Sequence, residues 1–175
     1  MGTHFKGSKK EVIALDAFIK LTRSSEKLTS KLKLSLDSYG LSEGQFAALD
    51  ALYHLGSLSQ KELGNKLLKS GGNITMVVDN LEKNGYVQRK RGKDDRRFFT
   101  IELTSKGKKK IEETLPVQVD LITKMLNTLN KHEQKELQAL CKTLGKRNQS
   151  EFKPVEALSS LKISGRISPA FPKKE

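Results

Sequence analysis

Two apolar rhythms run along this chain. Leu63 and Leu67, then Ile74, Val77, Val78 and Leu81, recur at helical intervals on either side of Ser70-Gly71-Gly72-Asn73, which predicts two short helices broken by a tight turn at those four residues. Downstream the spacing shortens, and Phe99, Ile101 and Leu103 alternate as one buried face of a strand. Gly85 can close the preceding helix in the left-handed conformation, and Gly92 sits where a hairpin between two strands needs its turn. Outside this middle region the helical rhythm returns. Val12, Leu15, Ile19, Leu28, Leu32 and Leu36 predict an amphipathic first helix. Ile111, Leu115, Val119, Ile122, Leu126 and Leu129 predict another after the hairpin, and Leu137 to Leu144 a third. Pro116 removes an internal hydrogen bond from the second of these, so a kink is expected there.

The helix carrying Ile74, Val77, Val78 and Leu81 has an opposite face of Gly72, Met76, Asp79 and Lys83, flanked by Asn73, Thr75 and Asn80. Small residues at a helix start allow close approach to a phosphate, which the terminal N–H groups can bind. Asn, Thr and Met suit base edges and thymine methyls. Taken alone, such a helix is equally an ordinary amphipathic one with a solvated face. The next segment changes the balance. From Lys83 to Arg97 stand seven cations, Lys83, Arg89, Lys90, Arg91, Lys93, Arg96 and Arg97, against two anions, Asp94 and Asp95. A hairpin so charged at its tip gains little from packing and much from phosphates. Helix, turn, helix, strand, basic tip, strand is the order of a winged helix that binds DNA.

The sequence resembles the MarR-type winged-helix transcriptional regulators. The resemblance is carried by Ser70-Gly71-Gly72-Asn73-Ile74-Thr75, by Leu81-Glu82-Lys83-Asn84-Gly85-Tyr86-Val87-Gln88-Arg89, by Asp94-Asp95-Arg96-Arg97, and by Leu103-Thr104-Ser105-Lys106-Gly107. It is strong over about Leu41 to Gly107 and looser over the outer helices. It implies a mainly helical fold with a small β-wing, whose DNA-binding residues are Ser70, Gly72, Asn73, Thr75, Met76, Asp79, Lys83, Arg91, Lys93, Asp95, Arg96 and Arg97. The family's Asp-x-Arg wing pair falls on Asp95 and Arg97, with Arg97 in the minor groove and Asp95 holding its guanidinium. A narrow A·T-rich minor groove concentrates negative potential and favours Arg, whose planar fork a carboxylate can fix. Arg96 and Asp94 are the neighbouring alternatives.

By the same resemblance, the first and last helices pair between two subunits. The expected organisation is a dimerisation helix over 1–40, a winged-helix lobe over 41–103, dimerisation helices over 104–148, and a flexible or partner-embracing tail over 149–175. The tail contains Pro154, Pro169 and Pro172 and little periodicity. The expected partners are double-stranded DNA, a second copy of the chain, and a small anionic or phenolic effector. Tyr39, Tyr53 and His54 would line an effector crevice between lobe and dimer helices, or serve as plain packing.

Composition agrees. The 175 residues suit one domain with a respectable core, and a net charge of +13 with a pI near 9.8 points to a polyanion. No stretch approaches the roughly 20 apolar residues of a membrane span, and the N-terminus lacks the apolar run of a signal peptide, so the cytoplasm is expected. The single cysteine, Cys141, shares a helical face with Leu137, Leu140 and Leu144 and is expected in the core. His4, His54 and His132 have no second ligand at metal spacing, and no nucleophile-base pair or phosphate-cradling glycine loop appears. Metal, cofactor and enzymatic activity are therefore not expected. The competing readings are a redox sensor acting through Cys141 and a non-specific architectural nucleic-acid binder.

Overall fold

Serine starts three of the helices in the same way. Helices α1 (Lys9–Ser38), α2 (Glu43–Leu55) and α3 (Gln60–Lys66) each open with a closed capping box, in which Ser8, Ser42 and Ser59 exchange hydrogen bonds with Glu11, Gln45 and Glu62. These pairs satisfy backbone N–H groups that the first turn of a helix leaves without partners. The computed structural model describes residues 2–91 and 99–151, the last five by backbone alone. The remaining elements are β1 (Leu58–Ser59), α4 (Gly71–Lys83), β2 (Val87–Arg91), β3 (Phe99–Leu103), α5 (Ser105–Leu126) and α6 (Lys131–Glu151). They form two units, one ending at Thr128 and one starting at Leu129.

In the first unit the core is drawn from α2, α3, α4, β2, β3 and α5, with Leu58 of β1 packed against it. Leu49, Leu52, Leu63, Ile74, Val78, Leu81, Val87, Ile101 and Ile111 are buried together, with Leu41 from the turn before α2. The helical and alternating rhythms of the sequence therefore do converge on one core. The strands make an antiparallel sheet in the order β1-β3-β2, with Val87 opposite Leu103 and Arg91 opposite Phe99. The outer strand β1 was not expected. It is two residues long, and it exists because Leu58 and Ser59 pair with Ile101 and Thr100.

Several expectations need correcting. The break between the two short helices is not at Ser70-Gly71-Gly72-Asn73: Ser70 is the N-cap of α4, and both glycines lie in its first turn. The chain turns at Leu67, Leu68 and Lys69. The amide of Lys69 donates to the Gly64 carbonyl and that of Leu68 to the Asn65 carbonyl, the paired bonds of a Schellman ending. Phe99 is not buried with Ile101, because β3 carries it beyond the lobe, where the Arg91 guanidinium lies 5.6 Å from its ring centre. The apolar stripe of helix α5, which contains Pro116, is only partly covered. The helix is packed through Gly107, Ile111, Thr114 and Gln118, whereas Val119 and Ile122 are exposed. Cys141 is likewise exposed, as are Leu137, Leu140 and Leu144, so helical spacing identified a shared apolar face on α6 but not a core.

Two glycines are needed where they stand. Gly85 has φ +71° at the end of α4, as its position after the last apolar residue predicts. Gly107 lies so close to Tyr86 that a Cβ would come within 1.9 Å of the Tyr86 carbonyl oxygen. Helix α5 can approach the root of the hairpin only without a side chain at that position. Helix α1 packs on α2 and α5, where Gln118 donates through Nε2 to Ser35 Oγ at 2.7 Å.

Candidate DNA interface

Helix α4 starts differently from the other helices of its unit. Ser70 occupies the N-cap, but its side chain makes no capping bond, and the position three residues on holds Asn73 where α1, α2 and α3 carry Glu11, Gln45 and Glu62. No acidic residue stands in the first turn. The N–H groups there keep their partial positive charge uncompensated and point out of the protein. Gly71 and Gly72 are exposed, with nothing within 4 Å of where a Cβ would be, so a phosphate could approach the backbone closely.

Burial of Ile74, Val78 and Leu81 fixes the rotation of α4 and turns Gly72, Asn73, Met76, Asp79 and Lys83 outward. Met76 is 58% exposed. Thr75 is half-buried, and its hydroxyl is committed inside the protein: Oγ1 donates to the Gly71 carbonyl at 2.8 Å and accepts from Gln60 Nε2 at 2.7 Å. Asp79 stands on the outward face, but its carboxylate holds the guanidinium of Arg89, which Glu82 grips from its other side. The Arg89 amide also donates to Glu82 Oε1 at 3.0 Å. The hydrogen bond that Arg89 donates to Asp79, followed by the charge of Glu82, raises the pKa of Arg89 against the effect of its partial burial. Arg89 therefore ties α4 to strand β2.

The wing is described at its root. Arg91 ends β2, exposed, against Phe99. Lys90 and Gln88 both reach Glu102 across the ladder, at 3.2 and 2.7 Å. These two bonds lower the pKa of Glu102, Gln88 having the larger effect. Lys93, Asp95, Arg96 and Arg97 lie outside the described residues. Of the expected crevice residues, Tyr39 and Tyr53 contact α5, whereas His54 bonds within α2. Lys110 Nζ lies 5.4 Å from the Tyr39 ring centre, Tyr53 donates to Glu112 Oε1 at 3.3 Å, and His54 Nδ1 lies 3.0 Å from the Asp50 carbonyl.

Sequence reasoning missed Gln60 and the fastening role of Arg89. Gln60 lies fifteen residues before Thr75 and meets it only because α3 packs on α4. Arg89 was legible as a cation, but its two carboxylates lie on the far side of the turn at Gly85. Among the described residues no helix is long and apolar enough to cross a membrane, and no group of three or more His, Cys, Asp or Glu residues could hold a metal ion.

A model of the transcriptional regulators SarA/Rot matches residues 30–114. The HTH-type transcriptional regulator MhqR of Bacillus subtilis is 30% identical over 132 residues, covering 75% of this chain and 91% of MhqR. Among solved structures, a mutant of Escherichia coli MarR complexed with operator DNA matches with a TM-score of 0.69 at 24% identity, covering 79% of this chain and 99% of that one. Bordetella bronchiseptica BpsR, whose DNA binding is regulated by 6-hydroxynicotinic acid, matches with a TM-score of 0.68 at 19% identity, covering 74% and 98%. With its helix-turn-helix, its three-stranded sheet and this kinship, the chain belongs to the MarR-type winged-helix transcriptional regulators, which bind DNA and are not enzymes.

Proposed function

We propose that the protein is a homodimeric repressor that occupies a pseudo-palindromic operator and leaves it when a small anionic or phenolic effector binds. The observation that carries this reading is the open start of α4, an uncapped Ser70 with exposed Gly71, Gly72 and Asn73, beside a face offering Met76 and Lys83. Two such helices would enter successive major grooves about 34 Å apart, with the wings in the flanking minor grooves, Arg97 or Arg96 inserted and Asp95 or Asp94 orienting it. A dimer spread over two turns of duplex would exclude other proteins from a promoter, hence repression.

Dimerisation is supported by apolar side chains left uncovered within each unit. Ile13, Phe18 and Leu21 on α1, Val119 and Ile122 on α5, and Leu140 and Leu144 on α6 are exposed. Monomeric soluble proteins rarely expose large contiguous apolar patches. The segments 1–40 and 104–148 are the proposed pairing regions, and 149–175 an appended tail. Regulation of BpsR by 6-hydroxynicotinic acid supports an effector of that chemical kind, with Tyr39, Tyr53 and His54 as the candidate lining. Selection of bound duplexes from a random-sequence library, followed by footprinting, tests the proposal. The expected result is two inverted half-sites about one helical turn apart, bound by a species that sediments as a dimer. A well-behaved monomer, or protection indifferent to sequence, would overturn it.

A further inference from the structure

We propose that Gln60 is a specificity-positioning residue: by holding the Thr75 hydroxyl against α3 it makes the recognition helix present the Thr75 γ-methyl, so that this position reads the 5-methyl group of thymine. The inference rests on α4 being the reading helix. A hydroxyl has one hydrogen to donate, and that of Thr75 goes to the Gly71 carbonyl. One of its lone pairs is taken by Gln60 Nε2. Both bonds draw Oγ1 towards the protein. Because Thr is stiff at χ1, fixing the oxygen also fixes the methyl branch on the other side of Cβ. Thr75 is half-buried, and with Oγ1 held by both bonds the methyl is the branch left to offer to the groove.

Its neighbours extend the pattern. Met76 presents an exposed thioether one residue on, and Asn73, exposed two residues before, can make a bidentate pair with adenine N6 and N7. Apolar contact with the thymine methyl is one of the few features that separate A·T from other pairs in the major groove. The chemistry therefore fits a half-site in which adenine lies next to thymine, read by one amide and two apolar groups.

The test uses the full chain and its own selected operator. Each thymidine is replaced in turn by deoxyuridine, which removes the 5-methyl group and leaves every hydrogen-bonding atom in place. At one thymine in each half-site the parent should lose about fourfold in affinity, the value of one buried methyl-sized group. Thr75→Val, which keeps a methyl and removes the hydroxyl, should retain that uridine penalty. Thr75→Ser, which keeps the hydroxyl and removes the methyl, should abolish it, and Thr75→Ala should do the same. Gln60→Ala should shrink the penalty by removing one of the two bonds that hold the hydroxyl, a change in a ratio that a purely structural role would not produce.

A penalty that survives Thr75→Ser and is lost in Thr75→Val would show that the hydroxyl reads the base and would overturn the inference. So would a parent protein indifferent to uridine at every position of a genuine operator. If no motif is selected at all, the operator reading itself fails, which is a separate outcome.

Discussion

Helix α3 begins in a closed capping box and ends on a strained residue, whereas α4 begins open and ends on a relaxed one. At their C-termini the two helices use the same geometry. After α4, Gly85 and Tyr86 donate back to Glu82 and Leu81; after α3, Leu68 and Lys69 donate back to Asn65 and Gly64. Both motifs place their penultimate residue at positive φ, +71° for Gly85 and +50° for Leu68. Glycine adopts that conformation freely, while an L side chain costs roughly 1–2 kcal/mol. The side chain of Leu68 is 89% exposed, so no burial offsets the strain. At their N-termini the contrast reverses, because Ser59 and Glu62 close α3 and nothing closes α4. The supporting helix is fastened at its start. Helix α4, the proposed reading helix, is fastened at its end, which leaves its first-turn N–H groups without a side-chain cap.

The strongest way to break this comparison is at the fastened end of α4. Gly107→Ala would drive a methyl into the Tyr86 carbonyl, and Tyr86 is the residue that completes the α4 ending, so unfolding in urea should show a loss of about 3 kcal/mol. A loss below 1 kcal/mol would mean that α5 can shift away without cost. A smaller effect separates the two N-termini. Ser59→Ala should cost about 1 kcal/mol by removing a working cap. Ser70→Ala should leave the urea midpoint nearly unchanged and weaken DNA binding in a titration, and an equal loss of stability in both variants would show the two caps to be equivalent.

Smaller again, Leu68→Gly should stabilise the protein by about 0.5–1 kcal/mol, strain relief being partly offset by the greater entropy of glycine in the unfolded chain. A lower melting temperature would show that Leu68 packs on something. The mildest effect is on pH dependence. Backbone and side-chain bonds from Ser59 lower the Glu62 pKa below its ordinary value of 4.5. A lowered carboxylate pKa stabilises the fold above the unfolded value, and that contribution is lost as pH falls through the folded one. Acid titration of stability should therefore be shallower in Ser59→Ala than in the parent, and parallel curves would contradict the link.

The core of the lobe was legible because Ile74, Val78 and Leu81 repeat at helical spacing and Ile101 sits in an alternating run, and both signals are local. Gly85 was legible for the same reason, as a stop after a periodic stretch. The turn was misplaced because Ser and Gly commonly form turns, whereas no local preference marks Leu68 for a left-handed conformation. Strand β1 is too short to carry a period and depends on β3 for its existence. At the candidate interface, helical spacing placed Asn73 and Met76 on the exposed face of α4, but the engagement of Thr75 by Gln60 and of Asp79 by Arg89 is set by packing between segments. The exposed stripe on α6 shows the same limit, since spacing tells which residues share a face and not what covers it.

Ser59 belongs to two structures at once: it pairs with Thr100 in the sheet and caps α3. One residue thus joins the inner strand of the wing to the entrance of the helix-turn-helix. Neither can open alone, because breaking the β1–β3 pairing displaces the cap, and losing the cap frees the strand. In amide hydrogen exchange the first turn of α3 and the paired amides of β3 should therefore behave as one cooperative unit. The two parts of the module that would grip the major and minor grooves then share a single opening equilibrium, and a duplex that holds either one slows exchange in both.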